Sequence, residues 1–262
     1  MKIIRYKDNG EIKSGVLKKE SVFEIEGNLF GEFSTGSRVA ELKDVELKAP
    51  IVPPNIIAIG LNYRQHAEET GADIPERPVI FLKATSSLTD PESKIMLPKL
   101  AAEEVDFEAE LAVVIGKKAK NIETVDVSDY ILGYTCANDV SARDCQKKLD
   151  KQWARGKSFD TFCPLGPWIE TDLDPMNCSI KSILNGEIMQ ESNTSDMIFN
   201  IDQIVSYLSH NMTLMPGTVI LTGTPEGVGF AREEEVFLRE GDEIIIEIEG
   251  IGSLKNSVEK EK

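Results

Sequence analysis

Val105-Asp106-Phe107-Glu108-Ala109-Glu110-Leu111-Ala112-Val113-Val114-Ile115-Gly116 is the stretch on which the reading of this chain turns. Val113, Val114 and Ile115 are β-branched, and Gly116 followed by Lys117-Lys118 ends the run, so the stretch predicts a β-strand. Side chains alternate faces along a strand. Glu108 and Glu110 therefore point the same way with Asp106 beside them, while Ala109, Leu111 and Val113 face a core. Two carboxylates held side by side repel each other. On a buried face they call for a hard divalent cation; on an edge strand they form an ordinary solvated polar face. The stretch alone leaves both readings open.

Working outward, the 262 residues with 41% apolar content suffice for one sizeable catalytic domain with a small appendage. The formal charge, 29 − 45 = −16, argues against nucleic acid and anionic membrane as partners. It also means that an anionic substrate needs a local basic pocket. No apolar run is long enough to span a bilayer, and the start, Met1-Lys2-Ile3-Ile4-Arg5-Tyr6-Lys7, lacks the apolar core of a signal peptide. Cys136, Cys145, Cys163 and Cys178 show no Cys-x-x-Cys spacing, and the chain has two His, so reduced thiols in a cytoplasmic protein are expected rather than a zinc finger.

Upstream, residues 1 to about 47 alternate in short runs, Ile3–Tyr6, Gly15–Leu17 and Ser21–Ile25, joined by turns at Asp8-Asn9-Gly10 and Glu26-Gly27-Asn28. They predict a small β domain over 1–48. The Pro-rich segment Leu47-Lys48-Ala49-Pro50-Ile51-Val52-Pro53-Pro54 is an extended linker to a second domain over 49–262. Asn55–Gly60 reads as a buried strand. It leads into a short helix with Asn62 as N-cap and Gly71 as C-cap. On that helix His66 and Glu69 are three apart and share a face, the pairing of a general base with its orienting carboxylate, or simply of a surface salt pair. Lys83, at the end of the strand Pro78–Lys83, is a solvated cap or a buried anion-binding amine.

Downstream, Asp139 ends an apolar strand, and a helix starting at Ser141 would turn Arg143 and Gln146 toward one pocket. The mixed loop Gln152–Phe162, with charges and aromatics together, suggests a site. A hairpin is expected around Asn185-Gly186 and a helix over Ile201–His210, with His210 a dipole-favoured cation at its end. The strand Val219–Leu221 runs into Thr222-Gly223-Thr224-Pro225-Glu226-Gly227-Val228-Gly229, a loop able to bring backbone N–H groups to an anion, though neither a Walker loop nor a dinucleotide fingerprint. Gly241–Gly250 alternates as a strand, and the polar end from Asn256 is expected to fray.

Taken together, these motifs resemble the fumarylacetoacetate hydrolase family. The likeness runs from Gly60-Leu61-Asn62-Tyr63 with His66 and Glu69, through Phe81-Leu82-Lys83, Asp106–Leu111, Asn138–Asp144, Gly156–Asp160, Leu184–Gly186 and Ser192–Phe199, to Thr222–Gly229. The resemblance implies an α+β, mainly β fold, a mixed β-roll or β-sandwich with peripheral helices, in a homodimer. It implies that Glu108, Glu110 and Asp139 bind Mg²⁺ or Mn²⁺, with Ca²⁺ as a crystal stand-in. It places Lys83, Arg143, Gln146, Lys157 and Thr224 on the oxygens of a small 2-oxo acid, with Lys157 also catalytic, neutralising the enolate together with Arg143. The segment from His66 to about Arg77 corresponds to a closing lid, with His66 activating water and Glu69 orienting it. The expected reaction is hydrolytic C–C cleavage of an acylpyruvate-type 2,4-dioxo acid through a metal-stabilised enolate. Isomerisation or decarboxylation of unsaturated 2-oxo diacids and decarboxylation of oxaloacetate use the same enolate and stand as alternatives. A catalytically silent metal-binding protein is the alternative of another class.

Overall fold

The computed structural model describes residues 1–262 and is built mainly of strands. One large sheet runs in the spatial order Phe33–Glu41, Ser21–Gly27, Glu11–Lys18, Lys2–Asp8, Cys163–Glu170, Ile131–Asn138, Ala109–Ile115, Val219–Leu221, Ile56–Gly60 and Val79–Lys83. A second, five-stranded sheet runs Glu187–Asn193, Ser179–Leu184, Glu243–Ile248, Gly252–Lys260 and Lys94–Leu97. Two α-helices, Arg64–Thr70 and Ile201–Asn211, lie outside the sheets. No helix is long and apolar enough to cross a membrane.

The strand that carries the Glu-x-Glu motif is central, not an edge. Ala109–Ile115 pairs with Ile131–Asn138 on one side and Val219–Leu221 on the other, and every residue in it is buried. Both of its faces are covered. Leu111, Val113 and Ile115 enter the main core with Ile57, Ile220, Ile246 and Leu254. Ala112 and Val114 enter a second core with Ile56, Ala137, Leu165 and Val219. The solvated-face reading is thereby excluded, and Glu110 sits at the end of a row whose other members are apolar. The predicted single strand is broken: Val105–Asp106 pairs separately with Ser141–Ala142, and Phe107-Glu108 forms the step between the two pieces. Asp139 N–H donates to Glu108 O at 2.9 Å across that step, which ties the two carboxylate-bearing segments together.

The structure corrects the sequence reading in four further places. Asn62 does not cap the first helix, whose N-cap is Tyr63 without a side-chain bond. Instead the buried Asn62 amide donates to Thr222 O and Phe199 O and accepts from Phe199 N–H, which fastens the helix entry to two other loops. After Ala142 comes a single π-helical stretch, Asp144–Leu149, rather than a helix from Ser141. The N-terminal strands number two more than expected, with Phe33–Glu41 added beside Ser21–Gly27 and the short Glu46–Lys48, at the start of the expected linker, added beside Lys2–Asp8. The C-terminus does not fray at Asn256. Gly252–Lys260 is held between Glu243–Ile248 and Lys94–Leu97, and Leu254, Asn256 and Val258 point inward. The expected hairpin Ser179–Asn193, the helix Ile201–Asn211 with its Asn200/Gln203 capping box, and the left-handed Gly71 C-cap are all present.

Candidate metal centre and active site

Two strands and the residues at their ends converge where the apolar cover of the large sheet ends. The antiparallel pair Ala109–Ile115 and Ile131–Asn138 brings Glu108 and Glu110 beside Asp139, just past the end of its strand. One carboxylate oxygen from each lies within 4.8 Å of those of the other two, and all three residues are buried. Such a cluster is stable only with compensating positive charge. The chain supplies some of it. Lys157 Nζ donates to Glu108 Oε2 and Asp139 Oδ2, both at 2.7 Å. Lys83 Nζ lies 2.5 Å from Asp139 Oδ1, and the Arg143 guanidinium reaches Glu108 Oε1 at 2.7 Å and Asp106 Oδ2 at 2.8 Å.

Glu110 is left out of this network. Its Oε2 accepts Gly223 N–H at 2.7 Å, but no cationic side chain forms an ion pair with it. Burial, followed by the charges of Asp139 and Glu108, pushes its carboxyl well above the usual range. Glu108 goes the other way: burial pushes it up, but Lys157 and Arg143 more than offset that and hold it below the usual range. Burial acts against the charge on Lys157, and Asp139 and Glu108 override it, so its ammonium is stabilised. A buried, all-oxygen donor set with one carboxylate lacking a counter-charge fits a hard divalent cation with open positions, as Mg²⁺ prefers.

A cavity of about 260 Å³ opens onto this centre, lined by Glu108, Glu110, His66, Arg143, Gln146, Lys157, Thr224 and the aromatic side chains Phe81, Trp153 and Phe230 among others. His66 Nδ1 lies 3.0 Å from Glu69 Oε2, and Glu69 Oε1 accepts Gly227 N–H at 2.8 Å. The Gly-rich loop therefore aims the dyad. The expected lid, His66 to about Arg77, begins inside the helix Arg64–Thr70, which is packed by its buried His66 and Ala67. Gln146 accepts from Arg143 Nη1 at 2.7 Å, so the π-helical turn sets both toward the cavity as expected. Thr224 Oγ1 donates to Ala109 O at 3.0 Å. Lys83 is the exception among the expected substrate contacts. It is the buried amine rather than the solvated cap, but it does not line the cavity; Asp139 and Val140 O take its ammonium.

Some residues of the site escaped the sequence reading. Asp106, noted only as a neighbour of the pair, anchors Arg143 and accepts from Gly229 N–H and Phe230 N–H at 2.8 and 3.1 Å. Gln190, on a strand of the second sheet, accepts Ala109 N–H and donates to Thr224 Oγ1 and Pro225 O. Nothing local in Ile188-Met189-Gln190 marks it; only its burial in the folded chain does. Trp153 lies across Gly60, where an added Cβ would stand 2.4 Å from the indole, and edge-on to Phe81 at 5.5 Å between centroids. The loop around Asp106 gives a test. A Cβ at Gly229 would lie 1.8 Å from Val236 O and 2.5 Å from Asp106 Oδ1. Gly229→Ala is expected to cost about 1–3 kcal/mol of stability through overpacking and to lower activity by displacing Asp106 from Arg143. Denaturant unfolding checks the first and kinetics the second; a variant as stable and active as the wild type would show that this loop is not fixed by the contact.

Comparison with known proteins agrees with this picture. Residues 55–259 match the family model described as fumarylacetoacetate (FAA) hydrolase, C-terminal, and residues 1–50 match one described as Rv2993c-like, N-terminal. An uncharacterised protein of Methanocaldococcus jannaschii is 52% identical over 81% of this chain and 86% of its own length. The mitochondrial oxaloacetate tautomerase Fahd2a of Rattus norvegicus is 48% identical over 82% of this chain and 69% of its own. The crystal structure of 5-carboxymethyl-2-hydroxymuconate delta-isomerase from Mycobacterium smegmatis superposes with a TM-score of 0.91 at 42% identity, covering 100% of both chains.

Proposed function

The chain belongs to the fumarylacetoacetate hydrolase family of enzymes, and from that premise we propose that it moves a proton at the carbon next to the keto group of a small 2-oxo acid, as a keto–enol tautomerase or double-bond isomerase. The observation that carries this reading is the His66–Glu69 dyad, set in the wall of the same cavity that Glu108 and Glu110 line. A base and a site for negative charge face one small volume. The names of two relatives, a tautomerase and an isomerase, support placing proton transfer ahead of bond hydrolysis.

Glu108, Glu110 and Asp139 are proposed to hold a divalent cation, which when bound polarises the keto oxygen and stabilises negative charge developing there. His66 takes the proton from the carbon adjacent to the keto group, and the C–H electron pair becomes the enol double bond. Glu69 holds the imidazole tautomer and stabilises the imidazolium. Lys157, Arg143 and Gln146 bind the acid's oxygens and keep it from rotating. Return of the proton to oxygen gives the enol; its return to a conjugated carbon moves the double bond. No electron acceptor is needed.

C–C hydrolysis of an acylpyruvate is the second reading, favoured by the same dyad, which is also the geometry of a water-activating base. The experiment that separates the two is a pair of assays with Mg²⁺ or Mn²⁺. One follows enol-to-keto conversion of oxaloacetate by ultraviolet absorbance; the other follows products from acetylpyruvate by NMR. Metal-dependent tautomerisation without cleavage is expected. Cleavage without tautomerisation would put the hydrolase reading in its place, and neither reaction would remove both.

A further inference from the structure

Most cations around the cavity are neutralised by the chain itself. Lys83 pairs with Asp139, Lys157 with Glu108 and Asp139, and Arg143 with Asp106 and Glu108. Lys147 is different. It follows Gln146 on the π-helical turn and lines the same cavity, yet it makes no ion pair. Its ammonium lies 3.3 Å from the centroid of Phe230, a ring that also carries the Arg143 guanidinium at 4.3 Å. The face of an aromatic ring attracts cations but does not neutralise them, so the ring holds the ammonium in place with its charge still available. Burial, followed by the neighbouring Arg143, pushes Lys147 down to about 8. An anion set against it would reverse that shift. Glu108 and Glu110 line the same cavity as Lys147, and its volume of about 260 Å³ suits a compact acid.

We propose that Lys147, positioned by Phe230, binds the far carboxylate of a dicarboxylic 2-oxo acid and so makes the enzyme prefer diacids to monoacids. The inference rests on the reading that a 2-oxo acid occupies this cavity with its keto end toward Glu108 and Glu110. Lys147 itself is exposed at its outer side, so substitution leaves the buried network of Lys157 and Arg143 intact.

The test compares oxaloacetate, a diacid, with 2-oxobutyrate, a monoacid, in the wild type, Lys147→Met and Lys147→Arg. Tautomerisation of the first is followed by absorbance and enolisation of the second by deuterium exchange. Calorimetry with the Mg²⁺-loaded protein measures equilibrium binding of both acids independently of turnover. The ratio of kcat/KM, diacid over monoacid, is expected to fall roughly 10- to 100-fold in Lys147→Met. The fall is carried by KM for the diacid and is largely restored in Lys147→Arg. The binding ratio should fall in parallel. An unchanged ratio in Lys147→Met, or a wild type that binds both acids equally, overturns the role of Lys147 while leaving the proposed function standing. If the wild type turns over neither acid, the functional reading fails, and the binding ratio alone decides the role of Lys147.

Discussion

Glu110→Gln, Glu108→Gln and Asp139→Asn are each expected to lose divalent-metal binding and at least about 10³-fold in turnover if the triad holds the ion as proposed, because several kcal/mol of charge stabilisation would leave with it. Their effects on the metal-free fold should differ, and the difference tests the assignment more sharply than activity does. Glu110 has no cationic partner, and burial with two neighbouring carboxylates raises its carboxyl well above the ordinary value. A neutral amide there removes repulsion, so Glu110→Gln should be at least as stable as the metal-free wild type. Asp139 anchors both Lys83 and Lys157. Removing its charge leaves the buried Lys83 ammonium without an ion pair and Lys157 with Glu108 alone, at a cost of about 3–5 kcal/mol, which lowers Tm by roughly 10 °C. The pH dependence follows from the same geometry. A carboxyl whose folded pKa is raised keeps its proton in the fold after the unfolded chain has released it, so this group erodes metal-free stability as pH rises above 4.5. Glu108 is lowered and acts oppositely: its contribution is present above 4.5 and is lost as the pH falls below that value. A cation on the triad displaces the Glu110 proton, so Mg²⁺ affinity should rise with pH and binding should release a proton, measurable by calorimetry in buffers of different ionisation enthalpy. Full activity in Glu110→Gln, or Mg²⁺ binding without pH dependence, would remove Glu110 from the metal site.

The Glu-x-Glu pair was legible because strand periodicity predicts a shared side for Glu108 and Glu110, and the step at Phe107-Glu108, which lies outside the strand, leaves their carboxylates together all the same. The His66–Glu69 pair was legible for the equivalent reason on a helix. What sequence could not supply was the second partner of each group. Asp106 reads as a third member of the acidic row, yet a break at Phe107-Glu108 turns it toward Arg143 and two backbone N–H groups. Asn62 reads as a cap because Asn caps helices; its actual partners, at Thr222 and Phe199, are more than 130 residues away. Lys83 reads as a substrate contact by family likeness, and only the fold shows Asp139 occupying its ammonium. The C-terminal strand was hidden because one of its three inward positions is Asn256, whose amide serves Asp90 O and Ser93 O, so the alternation is not one of hydrophobicity. In each case the group that satisfies the polar side chain is distant in sequence, so the side chain's local neighbours do not show its role.

His66→Ala is expected to lower kcat by about 10²–10⁴-fold, the range for loss of a positioned general base. KM should move little, because Arg143, Gln146, Lys157 and Thr224 still line the cavity. The orienting carboxylate provides the control. Glu69 uses one oxygen for His66 Nδ1 and the other for Gly227 N–H. A glutamine has one acceptor oxygen and one donor nitrogen, so Glu69→Gln can keep the loop contact only by presenting a donor to the imidazole. That forces the ring into the other tautomer or turns it away from the substrate. Its loss should be roughly 10²-fold or more in kcat, with Tm nearly unchanged because the helix and the Gly227 contact remain. The double variant should be no worse than His66→Ala alone, since an orienting group has nothing to orient once the imidazole is gone. Additive losses would mean that Glu69 acts independently of His66. A rise in KM at unchanged kcat in His66→Ala would make His66 a binding residue and leave the proton transfer to another group in the cavity.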